Sequence, residues 1–135
     1  MKKTYLLIPA LALLLASCKS SQLAPVREDA IKPVAVTQPT PHDTDDPAIW
    51  IHPTDALKSV IIGTDKDTDG AIYVYDLDGK IIKKSIVLKR PNNVDIAYGI
   101  LINGKKTDIA VTTERETNKI RVFSMPDLTP IDNGG

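Results

Sequence analysis

Val60-Ile61-Ile62-Gly63-Thr64 followed by Ile72-Tyr73-Val74-Tyr75, and again Ile109-Ala110-Val111-Thr112 followed by Ile120-Arg121-Val122-Phe123, are the stretches on which the fold turns. Each is a short apolar run rich in β-branched and aromatic residues, which fits a pleated, half-buried strand. Turn signals separate the runs: Pro53 to Asp55, Asp69-Gly70, Asp78-Gly79, Pro91 to Asn93 and Asn103-Gly104. No window has the 3.6-residue period of an amphipathic helix. The second pair repeats the first at an offset of about 48 residues, within the range of propeller blades. Upstream, Asp46-Pro47-Ala48-Ile49-Trp50 falls opposite Asp95-Ile96-Ala97-Tyr98. Each unit then holds an acidic loop, two strands, a polar loop, a third strand, a hairpin and a fourth strand, which is one four-stranded blade.

The expected fold class is therefore all-β, a β-propeller of four-stranded blades. A closed propeller needs about four to eight blades, and two repeats leave an open stack with exposed edges. The reading is an incomplete N-terminal portion of a longer protein. The competing reading is a self-contained β sandwich of about eight strands, which the length allows.

The 17 basic and 17 acidic side chains balance, and no basic stripe marks a nucleic-acid partner. Met1-Lys2-Lys3 followed by an apolar run from Tyr5 to Ala16 reads as an export signal, too short to span a bilayer comfortably. It ends in Leu15-Ala16-Ser17-Cys18, which resembles the lipobox of bacterial lipoproteins. Cys18 is the only cysteine, so it has no disulfide partner in the chain, and lipidation is its expected role. An ordinary secretory signal with a stray cysteine is the alternative. Loss of residues 1–17 leaves 15 basic against 17 acidic side chains. Residues 18–41, with Pro25, Pro33, Pro39 and Pro41, read as a flexible tether, with a first strand near Lys32 to Thr37 as the alternative. Residues 42–135 are the expected folded part.

Four features carry possible chemistry. Asp43, Asp45 and Asp46 crowd three carboxylates into four positions, which suits calcium or an Asx turn before Pro47. Asp65-Lys66-Asp67-Thr68-Asp69-Gly70, with Asp76 beyond, matches an EF-hand loop, but it joins strands and so reads as a polar inter-strand loop. Lys66 and Arg115 stand at nearly equivalent points of the two repeats and in a propeller face the same end, where they suit a phosphate ester. Taken singly, each is an ordinary surface charge. Asn92-Asn93-Val94-Asp95 after Pro91 forms a rigid turn or offers oxygens to a metal. His42 and His52 are too few for a zinc site, and no Gly-rich phosphate loop or nucleophile elbow is present.

Together these residues resemble the β-propeller phytases. The resemblance rests on Asp45-Asp46-Pro47-Ala48-Ile49-Trp50, Lys66 before Ile72-Tyr73-Val74-Tyr75, Asn92-Asn93-Val94-Asp95-Ile96, Gly104-Lys105-Lys106-Thr107-Asp108-Ile109-Ala110 and Arg115, in that order. It implies about two blades of a six-bladed fold and calcium-dependent hydrolysis of phosphate monoesters from phytate, of the 3-phytase type. No side chain is assigned as catalytic, because the resemblance implies attack by a calcium-bound water. It implies Asp45 and then Asp46 as calcium ligands, with Asp95, Asn93 and Asp43 as weaker candidates, and Lys66 and Arg115 as phosphate-binding groups. Asp67 after Lys66 and Glu114 before Arg115 depart from the family pattern. The implied partners are phytate or other inositol phosphates and, through the lipid, a bacterial membrane facing the periplasm or the cell exterior. The full-length protein is expected to be a monomer, and this chain alone inactive. The alternative function is a non-catalytic, surface-anchored propeller that binds a partner or glycan.

Overall fold

A computed structural model describes residues 25–135. The expected signal peptide and Cys18 lie outside the described residues. Residues 25–32 form a short irregular segment in which Arg27 and Asp29 pair side chain to side chain. The compact unit begins at Pro33, so the last residues of the expected tether belong with the folded part.

Eight strands form two four-stranded antiparallel sheets, each a meander of sequential neighbours. The first contains β1 (Thr44–Trp50), β2 (Val60–Asp65), β3 (Ala71–Tyr75) and β4 (Ile81–Lys84). The second contains β5 (Pro91–Ile102), β6 (Lys105–Glu114), β7 (Lys119–Ser124) and β8 (Thr129–Pro130). Helical structure among the described residues is limited to two single 3-10 turns, Ala56–Lys58 and Arg115–Thr117. The tight turns follow the residues that permit them: Gly79 closes β3–β4 at φ 80°, and Asn103-Gly104 closes β5–β6 at φ 49° and 78°. No strand forms near Lys32 to Thr37, where Val34 and Val36 are exposed.

The pairing registers fix which positions of the two repeats correspond. Thr44 opposite Asp65 corresponds to Pro91 opposite Glu114, and Ile61 opposite Tyr75 corresponds to Ala110 opposite Phe123. Both sheets carry a register shift at the start of their first strand, between Thr44 and Pro47 and between Pro91 and Val94. The counterparts of Asp45-Asp46 are therefore Asn92-Asn93, and that of Ala48 is Asp95. The alignment of Asp46 with Asp95 read from sequence is thus shifted, because the spacing between first and second strands differs between the repeats.

The sheets stack so that unlike faces meet. Val60, Ile62, Ile72 and Val74 of the first sheet pack with Val94, Ala110 and Phe123 of the second, together with Trp50, Leu88, Met125 and Leu128. Burying each of the larger side chains stabilises the fold by about 2 kcal/mol. The far face of the second sheet repeats the near face of the first, yet Ile120 is 61% exposed where its counterpart Ile72 is 0%. A self-contained sandwich buries its apolar faces against each other and keeps both outer faces polar. Here the stacking is head-to-tail, as between neighbouring propeller blades. On the outer face of the first sheet, Ala71, Tyr73 and Tyr75 form a second apolar cluster. The segment entering β1 lies across that sheet, with Gln38 N–H bonded to Gly79 O and Gln38 Oε1 accepting Ile81 N–H at 2.7 Å.

Candidate functional site

One end of the two sheets gathers the start of β1, the β2–β3 loop, the start of β5 and the β6–β7 loop. The antiparallel order dictates this, since Thr44 pairs with Asp65 and Pro91 with Glu114. The register shifts place Asp45-Asp46 and Asn92-Asn93 in bulges at this mouth, where the extra residue escapes regular pairing and re-aims its side chain.

Each blade holds its mouth with a buried carboxylate at the end of its second strand. Asp65 is fully buried and accepts Thr40 Oγ1–H at 3.1 Å, His42 N–H at 3.3 Å, His42 Nδ1–H at 2.8 Å and Asp43 N–H at 2.8 Å. Hydrogen bonding to Asp65 raises the His42 pKa above its ordinary value. Glu114 accepts Lys89 N–H at 2.9 Å, the counterpart of the His42 bond. A further pair of equivalent bonds fixes the cationic residues: Lys66 N–H donates to Asp43 O at 2.8 Å and Arg115 N–H to Arg90 O at 3.1 Å. Both latches escaped the sequence reading, although Asp65 and Glu114 each directly precede one of the two candidate cations.

The side chains of the two mouths differ. Lys66 Nζ lies 2.7 Å from Asp45 Oδ1 and 3.5 Å from Asp43 Oδ2. The hydrogen bond to Asp45 leads in raising the Lys66 pKa, so the ammonium stays charged. At the second mouth the positions of Asp43 and Asp45 are taken by Arg90 and Asn92. Among the described residues, neither Arg90 nor Arg115 has a carboxylate partner. Lys89 instead reaches across to Asp69 at 3.1 Å, and Thr68 Oγ1–H donates to Glu116 at 2.8 Å, tying the two polar loops together.

Asp46 has a structural task. Its Oδ2 accepts Val94 N–H at 2.9 Å, its own N–H donates to Thr64 Oγ1 at 3.0 Å, and that hydroxyl donates to Asn92 O at 3.0 Å. The buried Thr64 and the half-buried Asp46 thus clasp the two bulges across the sheet interface. Asn93 N–H makes the counterpart bond to Thr113 Oγ1 at 3.4 Å. Asp95 is not brought to this end cluster. It pairs opposite Val111 on the face turned away from the first sheet, and its carboxylate accepts Ile96 N–H at 2.8 Å.

The mouth thus joins Asp43, Asp45 and Lys66 directly, links Asp46 to the start of β5, and places Asn93 and Arg115 beside it. Among the described residues no three acidic or histidine side chains converge as a metal-holding group. The EF-hand alternative is excluded by geometry: Asp76 lies in the β3–β4 turn at the other end of the sheet, where its Oδ1 accepts the N–H groups of Asp78 and Lys80.

Behind the second mouth, Arg121 is buried between two acids, with Nε 2.7 Å from Asp132 and NH1 3.0 Å from Glu114. Burial alone would raise the Asp132 pKa, but hydrogen bonds from Arg121 and from the N–H groups of Val122 and Gly134 bring it to about 2. For Glu114, burial also pushes upward and is outweighed by Lys89 N–H and Arg121. This network supports the strand end that carries Arg115.

The family model described as Phytase matches residues 2–130. A 3-phytase of Bacillus subtilis strain 168 is 39% identical over 132 residues, an alignment covering 91% of this chain and 34% of that protein. The chain therefore spans about a third of the length of the curated relative it matches.

Proposed function

The chain belongs to the phytase family, and from that premise we propose that the whole protein hydrolyses phosphate monoesters of phytate, in the manner of a 3-phytase, with calcium as its cofactor. The observation that carries this reading is the position of Lys66 and Arg115, equivalent in the two repeats and anchored at one end beside the carboxylate bulge. Arg115 offers a forked set of donors with no carboxylate committed to it among the described residues, which suits a phosphate dianion. Lys66 supplies a second charge at a point its acid partners hold fixed.

The donor chemistry fits a hard cation. Asp43, Asp45 and Asp46 offer carboxylate oxygens, Asn93 an amide oxygen, and Asp43 with Asp45 already hold one positive group, the Lys66 ammonium. Asp46 and Asn93 also keep the bulges in register, so they position the mouth. Asp95, on the other face, is the weakest of the proposed ligands. In number the set is short of a complete shell, and the reading therefore takes further donors from the rest of the whole protein. Calcium, when bound, neutralises phosphate charge and activates water. Residues 1–135 alone are proposed to turn over little or no phytate.

Export, lipid attachment at Cys18, anchoring to a bacterial membrane facing the periplasm or the exterior, and a monomeric whole protein belong to the same reading. The charged start and short apolar run of residues 1–17 support it. Cys18→Ser is expected to move the protein from the membrane fraction to the soluble one, and an unchanged distribution contradicts the anchor. The function itself is tested by assaying the whole protein for phosphate release from phytate in the presence of calcium. Release is expected, and its absence overturns the proposal.

A further inference from the structure

The outer edges of the two sheets differ. β8 is two residues long and includes Pro130, so it offers little for another chain to meet. β4 has four residues and no proline, and its second edge is unpaired. The two sheets meet most closely at β1 and β5, which leaves β4 on the outside of the stack. Propeller blades are added face to face, so this edge stays on the outside in the whole fold.

From Gly79 to Val94 the chain has five cations and no acid. Lys80 shares its turn with Asp76 and Asp78, Lys89 pairs with Asp69, and Arg90 belongs to the mouth. Lys83 and Lys84 remain, both exposed and without an acid partner among the described residues. They pair with Val74 and Tyr73 and so point to opposite sides of the sheet, which forms no pocket between them. An extended surface laid along the edge meets both. Lysines alone would serve to keep other strands away, but exposed aliphatic groups would not. Ile82, the extra residue of the register shift between Val74 and Tyr75, is 53% exposed, and Ile86 and Val87 are 48% and 56% exposed. Flexible cations flanking aliphatic groups suit the boundary between lipid headgroups and acyl chains.

The N-terminal segment arrives at the same place. Gln38 N–H donates to Gly79 O at 2.8 Å, and Ile81 N–H donates to Gln38 Oε1 at 2.7 Å, at the start of β4. From Cys18 to Gln38 the chain advances 20 residues, a reach of at most about 70 Å when fully extended. A lipid on Cys18 holds β4 within that reach of the bilayer, where even a weak contact is populated.

We propose that the outer edge of the first blade, from Ile82 to Val87, docks on an anionic lipid surface, with Lys83 and Lys84 among the headgroup phosphates and the aliphatic side chains below them. The mouth lies at the strand ends and the docked surface along a strand, so docking leaves the mouth open. The proposal deepens the anchoring reading and rests on it for the meeting with a membrane.

The test uses the whole protein with residues 1–18 removed, which takes away the apolar run and the lipid site and leaves the compact unit from Pro33 intact. Binding to vesicles of phosphatidylglycerol and phosphatidylcholine is measured by sedimentation at fixed ionic strength. Saturable binding is expected, and phosphatidylcholine alone is expected to bind at least tenfold more weakly. Lys83→Gln/Lys84→Gln is expected to weaken binding to the anionic vesicles at least tenfold, and Ile82→Ser/Val87→Ser several-fold. Lys105→Gln/Lys106→Gln removes the same charge from the exposed β5–β6 hairpin and is expected to leave binding near the parent value. No saturable binding by the parent overturns the proposal, as does equal weakening by the two lysine pairs. Binding of poly-glutamate without binding of vesicles assigns the edge to an acidic protein and also overturns it. Because no lipid is attached in this measurement, failure of the anchor at Cys18 is read separately, by the fractionation of Cys18→Ser.

Discussion

The two mouths are built on one backbone plan and carry opposite chemistry. In both, a bulge opens the first strand, a buried carboxylate latches the segment entering it, and a backbone N–H fixes a cationic residue against the preceding carbonyl. On that plan the first mouth sets Asp43 and Asp45 around Lys66, whereas the second sets Arg90 and Asn92 near Arg115. The repeat therefore supplies geometry, and under the proposed function a few substitutions on it divide the labour. The acidic mouth is suited to hold cations, and the basic mouth leaves a guanidinium for an anion.

The largest expected effect breaks the comparison at the latches. Asp65→Ala removes the acceptor of two backbone N–H groups, a hydroxyl and an imidazole, and is expected to cost about 3 kcal/mol in urea unfolding. Glu114→Ala is expected to cost less, about 2 kcal/mol, because Arg121 keeps its bidentate partner Asp132. Equal costs would show that the second latch depends on Glu114 as fully as the first depends on Asp65.

Acid sharpens the same contrast. Asp132 is about 2 when folded against an ordinary 3.8, so it binds fewer protons folded than unfolded across that range. Its contribution, roughly 2 kcal/mol, is complete above the unfolded value and is lost as pH falls through the folded one. Stability measured from pH 5 down to pH 2 is expected to fall less steeply in Asp132→Asn than in the parent. Parallel curves would show that the Arg121 network does not hold Asp132 ionised.

The smaller effect lies in substrate binding by the whole protein. Arg115→Ala is expected to raise KM for phytate about tenfold, near 1.4 kcal/mol. Lys66→Ala is expected to raise it only a few-fold, because two carboxylates already offset its charge. The reverse order would mean that Lys66 leaves its acid partners when substrate binds.

Much of this arrangement is legible in the sequence. Periodic β-branched runs and their recurrence specify two sheets, and the turn residues specify which ends come together. Lys66 and Arg115 fall at equivalent points because each directly follows the carboxylate that ends its second strand, Asp65 in one repeat and Glu114 in the other. The bulges were not legible, since a bulge is a property of pairing between strands and has no fixed local signature. Asp95 shows the consequence. Its aspartate and following apolar residues resemble Asp46 and its run, but register makes Asn93 the counterpart of Asp46 and puts Asp95 two residues farther along, opposite Val111. Nor does sequence distinguish a latch from a ligand. Asp65 and Asp45 are alike as residues, yet one is fully buried against N–H donors and the other pairs with the half-buried Lys66 ammonium.

The division of labour is tested most directly by the free calcium concentration that half-saturates phosphate release from phytate by the whole protein. Asp45→Asn is expected to raise that concentration several-fold, while Arg115→Ala leaves it near the parent value and raises KM for phytate instead. Release that persists undiminished under a chelator, or a calcium requirement shifted by Arg115→Ala and not by Asp45→Asn, would contradict the account.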